Sequence, residues 1–285
     1  MPATVQVHTD IPYLPDGEAR HTYDMYLPWP CPDKVPLVVF VHGGAWRTGD
    51  KSEFRHVALG LIQTAGHRLA VAVINYDLST RTPDSVRHPQ HFKCVLAAVN
   101  HLVTDRHYIG RSSIDHHRIY LVGHSAGAHL LMLMALSQLN VVRELDCIKG
   151  VVGIGGIYDI PVLLDIHPEY KDFIDMAFSK GQHVSASPTH LAKGMYHSTQ
   201  RAKFVIINSI GDELIDPEQA TGFASKLIHM RYDNVYLISQ RLGLHDDSIG
   251  SKKFWKIVVD FITTDDAVDT DAEDCSECYG SDADA

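Results

Sequence analysis

From Pro36 onward, short apolar runs alternate along the chain with stretches of helical period. Residues 37–41 (LVVFV) are continuously apolar and β-branched, the pattern of a strand covered on both faces. Residues 69–74, 119–122, 151–154, 204–208 and 235–239 repeat that pattern. Between them, Phe92, Val95, Leu96, Val99, Leu102 and Val103 recur at three- and four-residue spacing and predict an amphipathic helix. A second helix opens at Pro217 and Glu218 and carries Phe223, Leu227 and Met230. A last one presents Phe254, Ile257, Val258 and Phe261 and is expected to end near Phe261. Pro15, Asp16 and Gly17 mark a hairpin ahead of the first run. Strands alternating with helices predict an α/β fold with a mostly parallel central sheet and helices on both faces.

Residues 159–200 break the rhythm. They are rich in His, Pro and Ser, and they read as a small cap-like excursion over the carboxyl ends of the strands. The expected organisation is one domain over 1–263 followed by a tail over 264–285. That tail holds nine acids and no Lys or Arg, so most of the formal net charge of −10 belongs to it. With almost no large apolar residues it is expected to be disordered. The body is near neutrality and offers no basic stripe, so no nucleic-acid partner is expected. No run reaches the ~18 apolar residues that span a bilayer, so no membrane partner is expected either. No secretory leader is legible at the start of the sequence. The five cysteines (31, 94, 147, 275 and 278) are odd in number and follow no framework, so a reducing setting such as the cytoplasm is expected.

The chemistry concentrates in a few places. Gly123-His124-Ser125-Ala126-Gly127 is a G-x-S-x-G between a predicted strand and an apolar helix beginning near Ala128. That context turns Ser125 into a candidate nucleophile, with the positive end of a helix beneath it. His42-Gly43-Gly44-Ala45-Trp46 closes the first core strand. Its glycine N–H groups, at Gly43 and Gly44, together with that of Ala126, are candidates for an oxyanion hole. One such donor contributes ~3 kcal/mol in a transition state. A base and an acid are then needed after the serine, in the order acid, base. Asp212, in Ile210-Gly211-Asp212-Glu213-Leu214, and His245, in Gly243-Leu244-His245-Asp246-Asp247, each follow a predicted strand. Glu213 and Asp216 stay open as alternatives to Asp212.

The 19 histidines form no H-E-x-x-H and no compact ligand set, and the single C-x-x-C at 275–278 cannot close a four-ligand site, so no metal and no cofactor is expected. Gly153, Gly155 and Gly156 lack dinucleotide-loop spacing and read as a close approach near the site.

HGGAW, GHSAG, GDEL and GLHDD, in this order and spacing, resemble the kynurenine formamidases of the α/β-hydrolase superfamily, especially the fungal type. The resemblance runs from about Tyr23 to about Phe261. It implies an α/β-hydrolase fold and hydrolysis of N-formyl-L-kynurenine to L-kynurenine and formate, within tryptophan degradation and the kynurenine route to NAD. It places the catalytic serine, aspartate and histidine on Ser125, Asp212 and His245. The partner it implies is a small-molecule substrate, and a homodimer is left open; for the substrate it implies, Trp46 and Tyr158 are the candidates to lie against the aryl group, and Arg47 or Lys51 to meet the carboxylate. The acidic tail departs from the family pattern. A carboxylesterase for small acyl or aryl esters remains the alternative with the same machinery. A non-catalytic interaction protein is the alternative of another class.

Overall fold

The computed structural model describes residues 4–31, 34–105, 110–136, 147–191 and 202–274, the last ten of these by backbone alone. Eight strands form one sheet: β1 (Thr4–Pro12), β2 (Thr22–Trp29), β3 (Val35–Val41), β4 (Ala70–Ile74), β5 (Ile114–His124), β6 (Ile148–Ile154), β7 (Lys203–Ser209) and β8 (Val235–Gln240). Their order across the sheet is β1-β2-β4-β3-β5-β6-β7-β8. β2 pairs antiparallel with both β1 and β4, and every pairing from β4 to β8 is parallel. This is the α/β-hydrolase topology. The hairpin expected around Pro15 is the β1–β2 pair, and each predicted core strand is present.

The all-apolar strands form because both faces are covered. On one face Val39, Val41, Leu121 and Ile206 meet α2 (Gln90–Thr104), α3 (Ala126–Leu136) and α7 (Pro217–His229). On the other, Val38, Phe40, Val122 and Val205 meet α1 (Arg55–Thr64) and α8 (Lys252–Asp274). α3 is buried all round, as a helix without a polar face must be. It begins at Ala126, two residues earlier than the sequence suggests.

Between β6 and β7 the chain leaves the sheet and forms the short helices α4 (Ile160–Ile166), α5 (Lys171–Ala177) and α6 (Pro188–Leu191). The end of the excursion lies outside the described residues. α8 runs past its expected end near Phe261 to Asp274. No glycine or proline interrupts the sequence there, so nothing in the backbone stops the helix once the packed turns have nucleated it. The remainder of the acidic tail, 275–285, lies outside the described residues. No helix among the described residues is long and apolar enough to cross a membrane.

Candidate active site

Ser125 sits between the last residue of β5 and the first of α3. Its φ is +52°, a left-handed conformation that costs a non-glycine residue ~1–2 kcal/mol. The surrounding hydrogen bonds hold it there. The Ser125 N–H donates to Ile154 O at 3.0 Å, and the His129 N–H donates to Ser125 O at 3.1 Å. The flanking glycines are required by contact. A Cβ at Gly127 would lie 2.1 Å from Val41 O, and one at Gly123 would lie 2.6 Å from Ala128 N. Larger residues would push the helix off the strand ends.

Asp212 follows β7 by three residues and His245 follows β8 by five. Their loops are stitched together through Ser209, whose hydroxyl donates to Gly243 O at 2.6 Å and accepts from the Leu242 N–H at 3.3 Å. His245 Nδ1 lies 2.8 Å from Asp212 Oδ2 and 3.0 Å from Oδ1. Facing a carboxylate, Nδ1 carries the proton and Nε2 keeps its lone pair. Leu214 and Ile215 donate their N–H groups to Asp212 Oδ1 at 3.0 and 2.9 Å. Burial raises the Asp212 carboxyl, but the His245 hydrogen bond and charge and these two amides outweigh it. They hold the group below the ordinary carboxylate value. The rival acids have other partners. Glu213 accepts the backbone N–H of His245 at 2.8 Å, and Asp216 faces His167 Nε2 at 2.5 Å.

Three contacts bring the serine and the His–Asp pair to one place. The ring of His124, the residue before Ser125, lies 4.5 Å from the His245 ring. His124 Nε2–H donates to the carbonyl of His245 at 3.2 Å. Gly155, next to the Ile154 carbonyl that holds Ser125, lies against both partners. A Cβ there would be 3.0 Å from His245 Cε1 and 3.1 Å from Asp212 Oδ2. Gly155 therefore belongs to the close approach expected after β6. Burial pushes His124 down to about 3, so it is a neutral donor at ordinary pH. Neither His124 nor His129 stands among the candidates drawn from the sequence. A histidine directly before the serine and another one helical turn after it was the available signal.

The HGGAW loop packs against the same serine. A Cβ at Gly43 would lie 2.9 Å from Ser125 Cβ. Gly44, Ala45 and Trp46 take consecutive positive φ values of +99°, +50° and +56°. Arg47 and Thr48 hold this left-handed turn by donating N–H groups to Gly44 O at 3.0 and 2.9 Å. Tyr76 OH donates to the carbonyls of His42 and Gly43 at 3.0 and 3.1 Å. With these carbonyls turned inward, no hydrogen bond from the N–H of Gly43, Gly44 or Ala126 occurs among the described residues. His42 is stacked between Phe54 and Tyr76 and is pushed down to about 4 by burial.

Two expectations for the substrate pocket are corrected. Trp46 and Tyr158 are both 0% exposed, so neither presents a face to an aryl group. Trp46 is a wedge: its ring meets His129 and Phe178 edge-on at 4.9 and 4.8 Å. Its Nε1–H donates to His129 Nδ1 at 3.3 Å, while His129 Nε2–H donates to Ala186 O at 2.8 Å. His129 thus ties the helix under Ser125 to the HGGAW loop and to the excursion. Tyr158 stacks on Phe223 at 4.5 Å inside the core. Lys51 is buried against Asp10 and Asp24 at 2.7 and 2.8 Å, so it is not available to a substrate. Arg47 stays exposed, its guanidinium 5.1 Å from the centre of the Phe173 ring on α5.

A family model described as BD-FAE matches residues 23–227. The kynurenine formamidase of Meyerozyma guilliermondii is 27% identical over 64% of this chain and 67% of its own length. That of Danio rerio is 29% identical over 58% of this chain, which spans about half (51%) of that protein. Among solved structures, a truncated carbohydrate esterase from gut microbiota superposes with a TM-score of 0.73 at 18% identity. It covers 91% of this chain and 96% of that one, and it shows the fold alone.

Proposed function

The chain belongs to the BD-FAE family, and we propose that it is a serine hydrolase that cleaves the formamide of N-formyl-L-kynurenine to L-kynurenine and formate. The observation that carries the reading is the imidazole of His245: Nδ1 is committed to Asp212, and Nε2 is left open beside the elbow that bears Ser125.

His245 Nε2 takes the Ser125 hydroxyl proton as Oγ attacks the formyl carbon. Asp212 fixes the tautomer and stabilises the imidazolium. The N–H groups of Gly43, Gly44 and Ala126 receive the tetrahedral oxyanion. Collapse breaks the C–N bond, and His245 returns the proton to the departing aryl amine. Water, deprotonated by His245, then attacks the formyl-serine, and formate leaves as Ser125 regains its proton. The acyl group carries only hydrogen, so the site needs no acyl cavity.

The excursion of α4, α5 and α6 is read as a cap. Phe178 and Ala186 anchor it to Trp46 and His129, above the strand ends. Arg47, on the oxyanion loop and braced by Phe173, is the cation this reading assigns to the substrate's carboxylate. Cys94 is a free thiol, in keeping with the cytoplasmic setting we assign.

Formate release from N-formyl-L-kynurenine by purified protein, absent in Ser125→Ala, is the expected result. A rate on p-nitrophenyl acetate that exceeds it at equal concentration would move the assignment to a carboxylesterase.

A further inference from the structure

Each peptide unit is planar and trans, so its C=O and N–H point in opposite directions. Fixing a carbonyl therefore aims the amide that follows it. The His42 carbonyl shares its unit with the Gly43 N–H, and the Gly43 carbonyl shares its unit with the Gly44 N–H. These are the two amides of the HGGAW loop assigned to the oxyanion. Both carbonyls are held by one side chain from outside the loop, the hydroxyl of Tyr76, at 3.0 and 3.1 Å. By contrast, the Gly44 carbonyl is held by the residues just after the loop, through the N–H groups of Arg47 and Thr48 and the Thr48 hydroxyl at 3.0 Å. The His42 ring adds its own Nδ1–H to the Gly43 carbonyl at 2.8 Å.

Tyr76 lies two residues beyond β4 and is itself held in place. Its ring is buried and stacks on His42 at 4.6 Å. Arg20, from the β1–β2 turn, donates Nε–H to the Tyr76 carbonyl at 3.0 Å and Nη2–H to Gly49 O at 2.8 Å, which ties Tyr76 to the chain just after the loop. Asn75, the residue before it, donates its N–H to Thr22 O at 3.0 Å and accepts the Lys51 N–H at 2.7 Å. Burial pushes the phenol above its ordinary value, so the hydroxyl keeps its proton and stays a donor. That one proton is shared between two carbonyls, a three-centre bond. A phenylalanine would fill the same space, so packing alone does not call for the oxygen. We propose, on the serine-hydrolase reading above, that Tyr76 is a positioning residue for the oxyanion hole: its hydroxyl pins the His42 and Gly43 carbonyls inward, so that the Gly43 and Gly44 amides face the developing oxyanion before substrate arrives.

Tyr76→Phe tests this, because it removes the oxygen and keeps the ring. On N-formyl-L-kynurenine, kcat should fall about 10- to 100-fold while KM stays within about twofold. Phenyl trifluoromethyl ketone reports on the oxyanion directly: Ser125 Oγ adds to its carbonyl carbon, and the carbonyl oxygen takes the negative charge. Its inhibition should weaken by the same factor as kcat. The acid limb of the pH profile should not move, because His245 keeps its partners. Arg20→Ala should give the same signature at about 3- to 10-fold, and it keeps the test decisive if Tyr76→Phe does not fold. A wild-type kcat in folded Tyr76→Phe, or in Arg20→Ala, overturns the proposal. So does a loss carried entirely by KM, or an inhibitor affinity that does not follow kcat. The same variants are run on p-nitrophenyl acetate. If the wild type turns over the ester alone, the formamide assignment falls and Tyr76 is judged on the ester. If it turns over neither substrate, the hydrolase reading falls and this role falls with it.

Discussion

Among the described residues, two histidine–aspartate pairs are withdrawn from solvent and have opposite wiring. In His245–Asp212 the carboxylate takes Nδ1 at 2.8 Å, and Nε2 has no hydrogen bond among the described residues. In His21–Asp77 the carboxylate takes Nε2 at 3.0 Å, and Nδ1 accepts the Glu18 N–H at 2.9 Å. Cys94 completes the second cluster, its thiol 3.2 Å from Asp77 and 3.6 Å from His21 Nε2. By residue type this is a Cys-His-Asp set, yet it has no free base and no ready nucleophile. Both ring nitrogens are used, and burial pushes the Cys94 thiol up to about 12. A metal would need the Nε2 lone pair, but the Glu18 amide already occupies the Nδ1 lone pair, so the neutral ring keeps its proton on Nε2. The cluster holds the β1–β2 turn to α2 and to the loop after β4. The pair of residue types is common to both sites; the nitrogen left open separates the arrangement we propose as catalytic from the structural one.

The largest effect should come from removing each histidine. His245→Ala is expected to lower kcat by at least about 10⁴-fold with little loss of stability. His21→Ala should leave kcat/KM within about fivefold and cost about 1–3 kcal/mol in urea unfolding. Comparable rate losses from both would erase the distinction drawn here. The carboxylates should behave alike: Asp212→Asn is expected to cost about 10⁴ in kcat through the wrong tautomer. Asp77→Asn should shift the unfolding midpoint and leave the rate near wild type.

Acid should act on the remaining buried histidines. Burial lowers His42 and His91 to about 4 and His124 and His129 to about 3, against an ordinary value of 6.5. Between pH 6.5 and about 4 the unfolded chain binds protons at these sites and the folded chain does not. The unfolded state holds more protons there, so stability rises with pH and is lost as pH falls through this window. About 1–2 kcal/mol per histidine should disappear between pH 7 and 5, read as a fall in Tm. An unchanged Tm over that range would mean that these rings are accessible to protons in the folded state.

The smallest expected effect compares two glycines, each against one of the histidines. A Cβ at Gly155 would lie 3.0 Å from His245 Cε1, and one at Gly17 would lie 2.7 Å from His21 Cβ. Gly155→Ala should displace the base and lower kcat about 10- to 100-fold. Gly17→Ala should cost stability alone. Parallel kinetics and melting of the two variants would show whether the wiring or mere crowding matters.

The sequence by itself determined the alternation of strands and helices and the elbow at Ser125. It also placed Asp212 and then His245 just beyond two strands that follow the serine. These are local facts: apolar period, glycine at a tight turn, a polar residue just beyond a strand. Tertiary structure decided which of Asp212, Glu213 and Asp216 faces the imidazole, since all three lie within five residues and differ only in where the loop turns them. It turned Trp46 from an expected aryl contact into a buried wedge, through a hydrogen bond to His129 across 83 positions. It withdrew Lys51 into a pair of aspartates from the hairpin and left Arg47 in the open. It also brought His124 onto His245, 121 positions away. Such outcomes depend on which distant segments the sheet sets side by side, and residue spacing along one segment carries no record of that.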